Sequence, residues 1–266
     1  MSATSCFRPA RRLRQLAVLA AGSLFAVSAS ALSPNLLVAH SLQYDVYRGD
    51  TELGDGKIEL KPAGTPDCWY YSQEAFPKSW LRWLSGDILE QSHVCVLEGR
   101  MRPIAYRFNR SGVGASKENF SLRFDWSKRE VTWQNGNVQP LTDEVVDRLS
   151  LQLVLRDWLL SEQAASGKEP EGEKEVIFAD RKKLDSYVFQ VKAHEEVKVP
   201  AGTFRTTRLD RIDNKNRRSQ FWLSPEHGYI VIKAEQQKDD DPVLKLLLKK
   251  MPAATPAPAE TPVEKK

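Results

Sequence analysis

Four histidines (His40, His93, His194, His227) and three cysteines (Cys6, Cys68, Cys95) are the side chains of this 266-residue chain best suited to metal or nucleophilic chemistry. No histidine stands at zinc-ligand spacing from another His or from a Cys. His194-Glu195-Glu196 sets a base beside carboxylates, but neighbours on a strand point to opposite faces. No G-x-S-x-G elbow occurs, and Gly112-Val113-Gly114 lacks the lysine of a phosphate loop. Asp239-Asp240-Asp241 lacks EF-hand spacing and reads as a solvated turn. With no nucleophile, base and oxyanion donor in one pattern, no catalytic residue, metal or cofactor is assigned, and the chain reads as non-enzymatic.

The aromatic residues say more. Trp80, Trp83 and Leu84 have helical spacing between Pro77 and Gly86, so two indoles share one face. Together with Trp69, Tyr70 and Trp158 they either pack as core or line an apolar cavity for an acyl chain. Trp80, Trp83 and Trp158 are the candidate ligand-binding residues. Arg205, Arg208, Arg211, Lys215, Arg217 and Arg218 cluster around one hairpin. They read either as a charged strand pair that blocks edge aggregation or as a surface for anionic headgroups.

The elements that must position these residues are mostly strands. Phe120, Leu122, Phe124 and Trp126 alternate with polar residues, the mark of a half-buried strand. Shorter runs over 36–47, 57–61, 68–75, 88–97, 104–109, 187–191, 203–212, 219–223 and 229–234 read the same way, and Asn135-Gly136 signals a hairpin. Asp50 to Gly56 reads as a turn, and Val243 to Leu248 as either a strand or a short helix. One long helix is expected from a Thr142 cap, through Asp143 and Glu144, to about Glu162. Its apolar residues point in nearly every direction, so it is expected inside, or across the mouth of, a curved sheet. The expected fold is mainly β, an antiparallel curled sheet or partly open barrel around one long buried helix.

Export is read from residues 1–31. Four arginines precede an apolar run from Leu16 to Val27, and Ala29-Ser30-Ala31 fits signal peptidase. The run is too short to span a bilayer, so cleavage after Ala31 into the periplasm is expected, without a membrane anchor. Residues 1–31 hold four of the 39 basic residues and no acid, so the rest carries 35 bases against 35 acids. That balance gives no electrostatic case for nucleic acid. In an oxidising compartment Cys68 and Cys95 are expected to form a disulfide, and no C-x-x-C motif is present. A single β-rich domain is expected over 32–251, followed by a disordered Pro/Ala-rich tail over 252–266.

Several segments resemble a bacterial family catalogued as domain of unknown function 3108. They are Gly99 to Tyr106, Phe124-Asp125-Trp126, Asp147 to Leu151, Val199 to Phe204, and Trp222 to Pro225 followed by Gly228-Tyr229. The sequence departs from the pattern at Tyr229-Ile230-Val231, where a proline is expected. The resemblance implies an exported β-rich protein of Gram-negative bacteria and supplies no reaction. Two functions from different classes are therefore expected. One is a periplasmic binding or carrier module for a lipid or other apolar small molecule. The other is an adaptor for an envelope protein, using sheet edges, the arginine hairpin or the tail.

Overall fold

The computed structural model describes residues 32–78, 86–213 and 216–251. The expected signal peptide, Trp80 and Trp83, and the 252–266 tail lie outside the described residues.

Apolar residues at period two, broken by turn residues, build fifteen strands among the described residues. The first half contains β1 (His40–Arg48), β2 (Thr51–Pro62), β3 (Cys68–Pro77), β4 (Ile88–Leu97) and β5 (Arg100–Arg110). It continues with β6 (Phe120–Asp125), β7 (Glu130–Trp133), β8 (Val138–Pro140) and the two-residue β9 (Val145–Val146). Helix α1 (Ser150–Ser166) follows. The second half holds β10 (Glu173–Ala179), β11 (Leu184–Val199), β12 (Gly202–Arg211), β13 (Arg217–Ser224), β14 (Ile230–Lys238) and β15 (Leu244–Lys250).

All fifteen strands join one sheet, ordered β8-β7-β6-β5-β4-β3-β2-β1-β15-β14-β13-β12-β11-β10-β9. Pairing is antiparallel throughout except between β9 and β10. The two edge strands, β8 and β9, are consecutive in sequence, so the sheet curls back towards its own start without closing into a barrel. Side chains bridge the seam where ladder bonds are missing. Trp133 Nε1 donates to the Asp180 carbonyl at 2.9 Å, and Gln139 Oε1 accepts the Leu184 N–H at 3.3 Å.

The helix starts later than Thr142. Val145 and Val146 are both buried and pair with Ile177 and Phe178, so they belong to the sheet. Asp147 supplies the cap instead. Its Oδ1 accepts the N–H groups of Leu149 and Ser150, each at 2.9 Å. Its own N–H donates back to Ser150 Oγ at 2.8 Å, a reciprocal capping box. Asp143 is left outside and pairs with Arg129 at 2.6 Å, which holds its carboxyl below the usual range. The helix ends at Gly167, whose positive φ lets its N–H close on the Gln163 carbonyl.

Two apolar clusters flank α1. Leu149 and Leu153 belong to one, with Leu42, Tyr44 and Leu60 of β1 and β2. Leu151, Leu155 and Leu159 belong to the other, with Phe178, Phe189 and Leu209 of β10 to β12. Helix faces opposite in projection thus meet opposite walls of the sheet. The disulfide between Cys68 and Cys95 links β3 to β4 as directly opposed partners. One more segment differs from the sequence reading: Asp50 to Gly56 is largely strand. Of the two forms left open for Val243 to Leu248, the chain takes the strand, β15.

Candidate functional site

The curled sheet encloses a cavity of about 630 Å³. That size lies within the usual range for small-molecule sites. Walls come from β1 to β5 and β10 to β15, with Leu151 and Gln152 of α1 and the adjoining Arg148 at the inner end. The apolar surface comes mainly from Ile58, Phe108, Phe178, Phe189, Phe221 and Leu246.

The cavity exists because inward positions carry small residues there. On β2 the inner face reads Gly54, Gly56, Ile58, Leu60, so two glycines precede two branched side chains. Their strand neighbours continue the pattern, since Gly56 pairs with Ala75 of β3. Gly54 is required by the backbone as well. A Cβ there would stand 2.1 Å from the Phe76 carbonyl oxygen.

Polar groups gather at the inner end. Glu90 Oε2 accepts the Tyr106 hydroxyl at 2.6 Å, and its Oε1 pairs with Arg148 Nη1 at 3.2 Å. Arg148 also lies over the Phe108 ring at 5.4 Å. The Glu90 side chain is 6% exposed, whereas Arg148 keeps 44% of its side chain uncovered, as expected of a group facing a void. Beside them Asp147 Oδ2 accepts the Ser92 hydroxyl at 2.6 Å. Desolvation outweighs these bonds and pushes the Asp147 carboxyl up to about 6. Burial likewise raises the Tyr106 hydroxyl.

About two turns beyond Arg148, Arg156 of α1 is buried with no carboxylate partner among the described residues. Its Nε donates to the Gly228 carbonyl at 3.0 Å and its Nη2 to the Leu36 carbonyl at 3.4 Å, while Nη1 has no hydrogen-bond partner. Desolvation lowers its pKa. Tyr71, pushed up to about 12 by burial, joins this layer to the cavity floor through its bond to Gln152 Oε1 at 3.0 Å.

Of the sequence candidates, Trp158 is half-buried against the second apolar cluster and is not among the cavity-lining residues. Pro77 and Gly86, which bracket Trp80 and Trp83 in the sequence, both line the cavity. The arginine hairpin divides. Arg205 pairs with Glu169 at 2.6 Å and Arg208 with Glu195 and Asp210. Arg211 and Arg217 line the cavity. Sequence reasoning missed Gly54 and Gly56 because glycines ordinarily break strands. Their period-two spacing ahead of Ile58 and Leu60 is the signal that would have found them. The atoms of Cys68, His93 and Cys95 come within 4.8 Å of one another, but both sulfurs are committed to the disulfide, leaving only the imidazole as a donor.

A large open sheet of barrel-like curl, with one helix and an apolar internal cavity, is the class of protein this geometry defines. The chain belongs to a family described as protein of unknown function, DUF3108, whose profile matches residues 43–249. Among curated proteins none matches. Solved structures with a related chain course include a beta-barrel-like protein of domain of unknown function DUF1849 from Brucella abortus. It is 12% identical, with TM-score 0.45, and the match covers 80% of this chain and 97% of that one. A candidate exported protein with a YmcC-like fold from Bacteroides fragilis is 10% identical, with TM-score 0.30, covering 80% and 95%. A candidate lipoprotein from Parabacteroides distasonis is 11% identical, with TM-score 0.32, covering 83% and 98%. No helix among the described residues is long and apolar enough to cross a membrane.

Proposed function

We propose that this protein is a binding or carrier module for a hydrophobic envelope ligand, a lipid or single acyl chain. In this reading it is exported to the periplasm and cleaved after Ala31. The observation that carries the reading is the cavity of about 630 Å³, with phenylalanine and aliphatic walls and glycine or alanine where side chains would fill it. A protein that needed only a stable core would fill such a space, because empty apolar volume costs stability. Leu151 and Gln152, in the first turn of α1, give the ligand a floor. Export rests on the sequence of residues 1–31, with their arginines, short apolar run and small-residue site.

Native mass spectrometry with organic extraction, on protein purified from its own periplasm, tests the reading. The expected result is a discrete extra mass that extracts as lipid, on a chain beginning at Leu32. A variant Ala234→Trp, which projects an indole into the cavity, should lose that mass while keeping a cooperative thermal transition. An empty wild-type protein that crosslinks to an envelope partner would displace the carrier reading in favour of an adaptor.

A further inference from the structure

The cavity wall is graded along its depth, and the grading specifies the ligand's head as well as its tail. Across the sheet, cross-strand partners form rows. The outer row runs Ser219, Gln236, Leu244, Arg48 over β13, β14, β15 and β1. Each of these residues lines the cavity, and all but Ser219 are exposed. Two residues deeper, the row runs Phe221, Ala234, Leu246, Val46 and on to Gly54 and Pro77 of β2 and β3. That row lacks charge, and its first four members are half-buried. Deeper still, Leu248, Tyr44 and Gly56 are buried. The wall therefore passes from polar to apolar over two residue steps, roughly 7 Å along a strand.

Two exposed arginines stand at this rim, Arg48 in the polar row and Arg217 just outside it, and neither is held by a close carboxylate. Arg217 lines the mouth beside Ser219 and has no ion pair among the described residues. Its cross-strand partner is another cation, Lys238. Arg48 has its nearest carboxylate, Asp241, at 4.0 Å. Arg211 is committed to Asp213 and lies 3.2 Å over the Tyr187 ring. Four carboxylates line the cavity: Glu90, held by Tyr106 and Arg148, Asp180 just past β10 on the facing wall, Asp55, paired with Lys249 at 2.8 Å, and Glu74; alternation with Gly54, Gly56 and Ala75 turns the last two side chains to the outer face.

We infer that the ligand is an anionic amphiphile with a carboxylate or phosphate head seated at the mouth on Arg48 and Arg217. Its chain lies inward between Phe221, Leu246 and Val46. This deepens the carrier reading and rests on it. A head at the mouth stays hydrated, so no charge has to be buried, while guanidinium groups match carboxylate and phosphate geometry. The outer row supplies hydroxyl and amide donors from Ser219 and Gln236 beside the cations.

Titration calorimetry with four twelve-carbon probes below their micelle concentrations tests it: laurate, dodecyl phosphate, dodecyltrimethylammonium and dodecyl maltoside. At least one anion should bind about tenfold more tightly than the cation, the scale expected of two solvent-exposed ion pairs. The better anion identifies the head as carboxylate or phosphate. In the double variant Arg48→Gln/Arg217→Gln that preference should shrink to within about twofold, since two exposed charges are gone. Binding of dodecyl maltoside should not change. Equal affinity for anions and cation, or a preference that survives in the double variant, overturns the anionic head and leaves the cavity reading standing. Failure of all four probes to bind overturns both.

Discussion

The two ends of the curled sheet are built from the same strands by opposite rules. At one end β1 to β3 face inward with Leu42, Tyr44, Leu60 and Tyr71, all buried, and Cys68 is bonded to Cys95. Segment 33–36 is tied to the helix there: Asp157 Oδ1 accepts the Ser33 N–H at 3.0 Å, and Arg156 reaches the Leu36 carbonyl. At the other end the same strands carry Val46, Gly54, Gly56 and Ala75, and the cavity lies there. A closed-barrel core would have continued the large residues to both ends. The change of residue size within single strands indicates that one end secures the fold while the other forgoes packing to keep a void.

The largest expected effect comes from cutting the link at the packed end. The disulfide closes a separation of 27 residues. Loop-closure entropy for that length gives about 3.5 kcal/mol of stabilisation. Cys68→Ala/Cys95→Ala should lower the unfolding free energy by that order in urea titrations. Amide exchange should accelerate first around Cys68–Tyr71 and Ser92–Cys95, with twelve-carbon ligand affinity nearly unchanged. Equal loosening of Val46 and Gly54 would mean that the two ends do not divide their roles in this way.

Asp147 sits where the ends meet and offers a pH test. Its carboxyl is fully buried and raised to about 6 in the folded protein, from 3.8. A raised carboxyl binds its proton more tightly folded than unfolded. Its favourable contribution is therefore complete below the unfolded value and is lost as pH rises through about 6. A shift of that size corresponds to about 3 kcal/mol at pH 7. Asp147→Asn keeps a good helix cap and should gain stability relative to wild type as pH rises from 4 to 7. A constant difference between the two proteins over that range would show that the carboxylate is charged throughout.

Legibility followed the same division. Alternation at Phe120, Leu122 and Phe124 identified β6 because large apolar residues with period two have one good structural solution. The opposed Cys68 and Cys95 were readable for a similar reason, since both lie in well-patterned strands. The start of α1 was misread because Val145, Val146 and Leu149 fit a helical stripe equally well. Tertiary pairing with Ile177 and Phe178 decided in favour of strand. The cavity was the least legible feature, since a void is written as missing side chains. Gly54 and Gly56 signal a turn in sequence, and it is their ladder pairing with β1 on one side and β3 on the other that makes this stretch a strand.

Those two glycines give the smallest and sharpest prediction. Both lie on β2, two residues apart, and neither has positive φ. An alanine Cβ at Gly54 would overlap the Phe76 carbonyl oxygen at 2.1 Å and stand 2.8 Å from the Pro77 Cα, both backbone atoms that cannot swing aside. At Gly56 the nearest atoms are Val46 Cγ2 at 3.4 Å and Tyr44 Cβ at 3.5 Å, ordinary contact distances. Gly54→Ala should therefore cost about 2 kcal/mol through forced backbone movement. Gly56→Ala should change stability by less than about 0.5 kcal/mol, because lost chain entropy in the unfolded state offsets any crowding. Thermal unfolding of the two variants reads the difference directly. Equal and large losses would mean that Gly56, too, is held by the backbone. Equal and negligible losses would mean that β2 and β3 can separate at the mouth, so that the open end is wider in solution than the packed end allows.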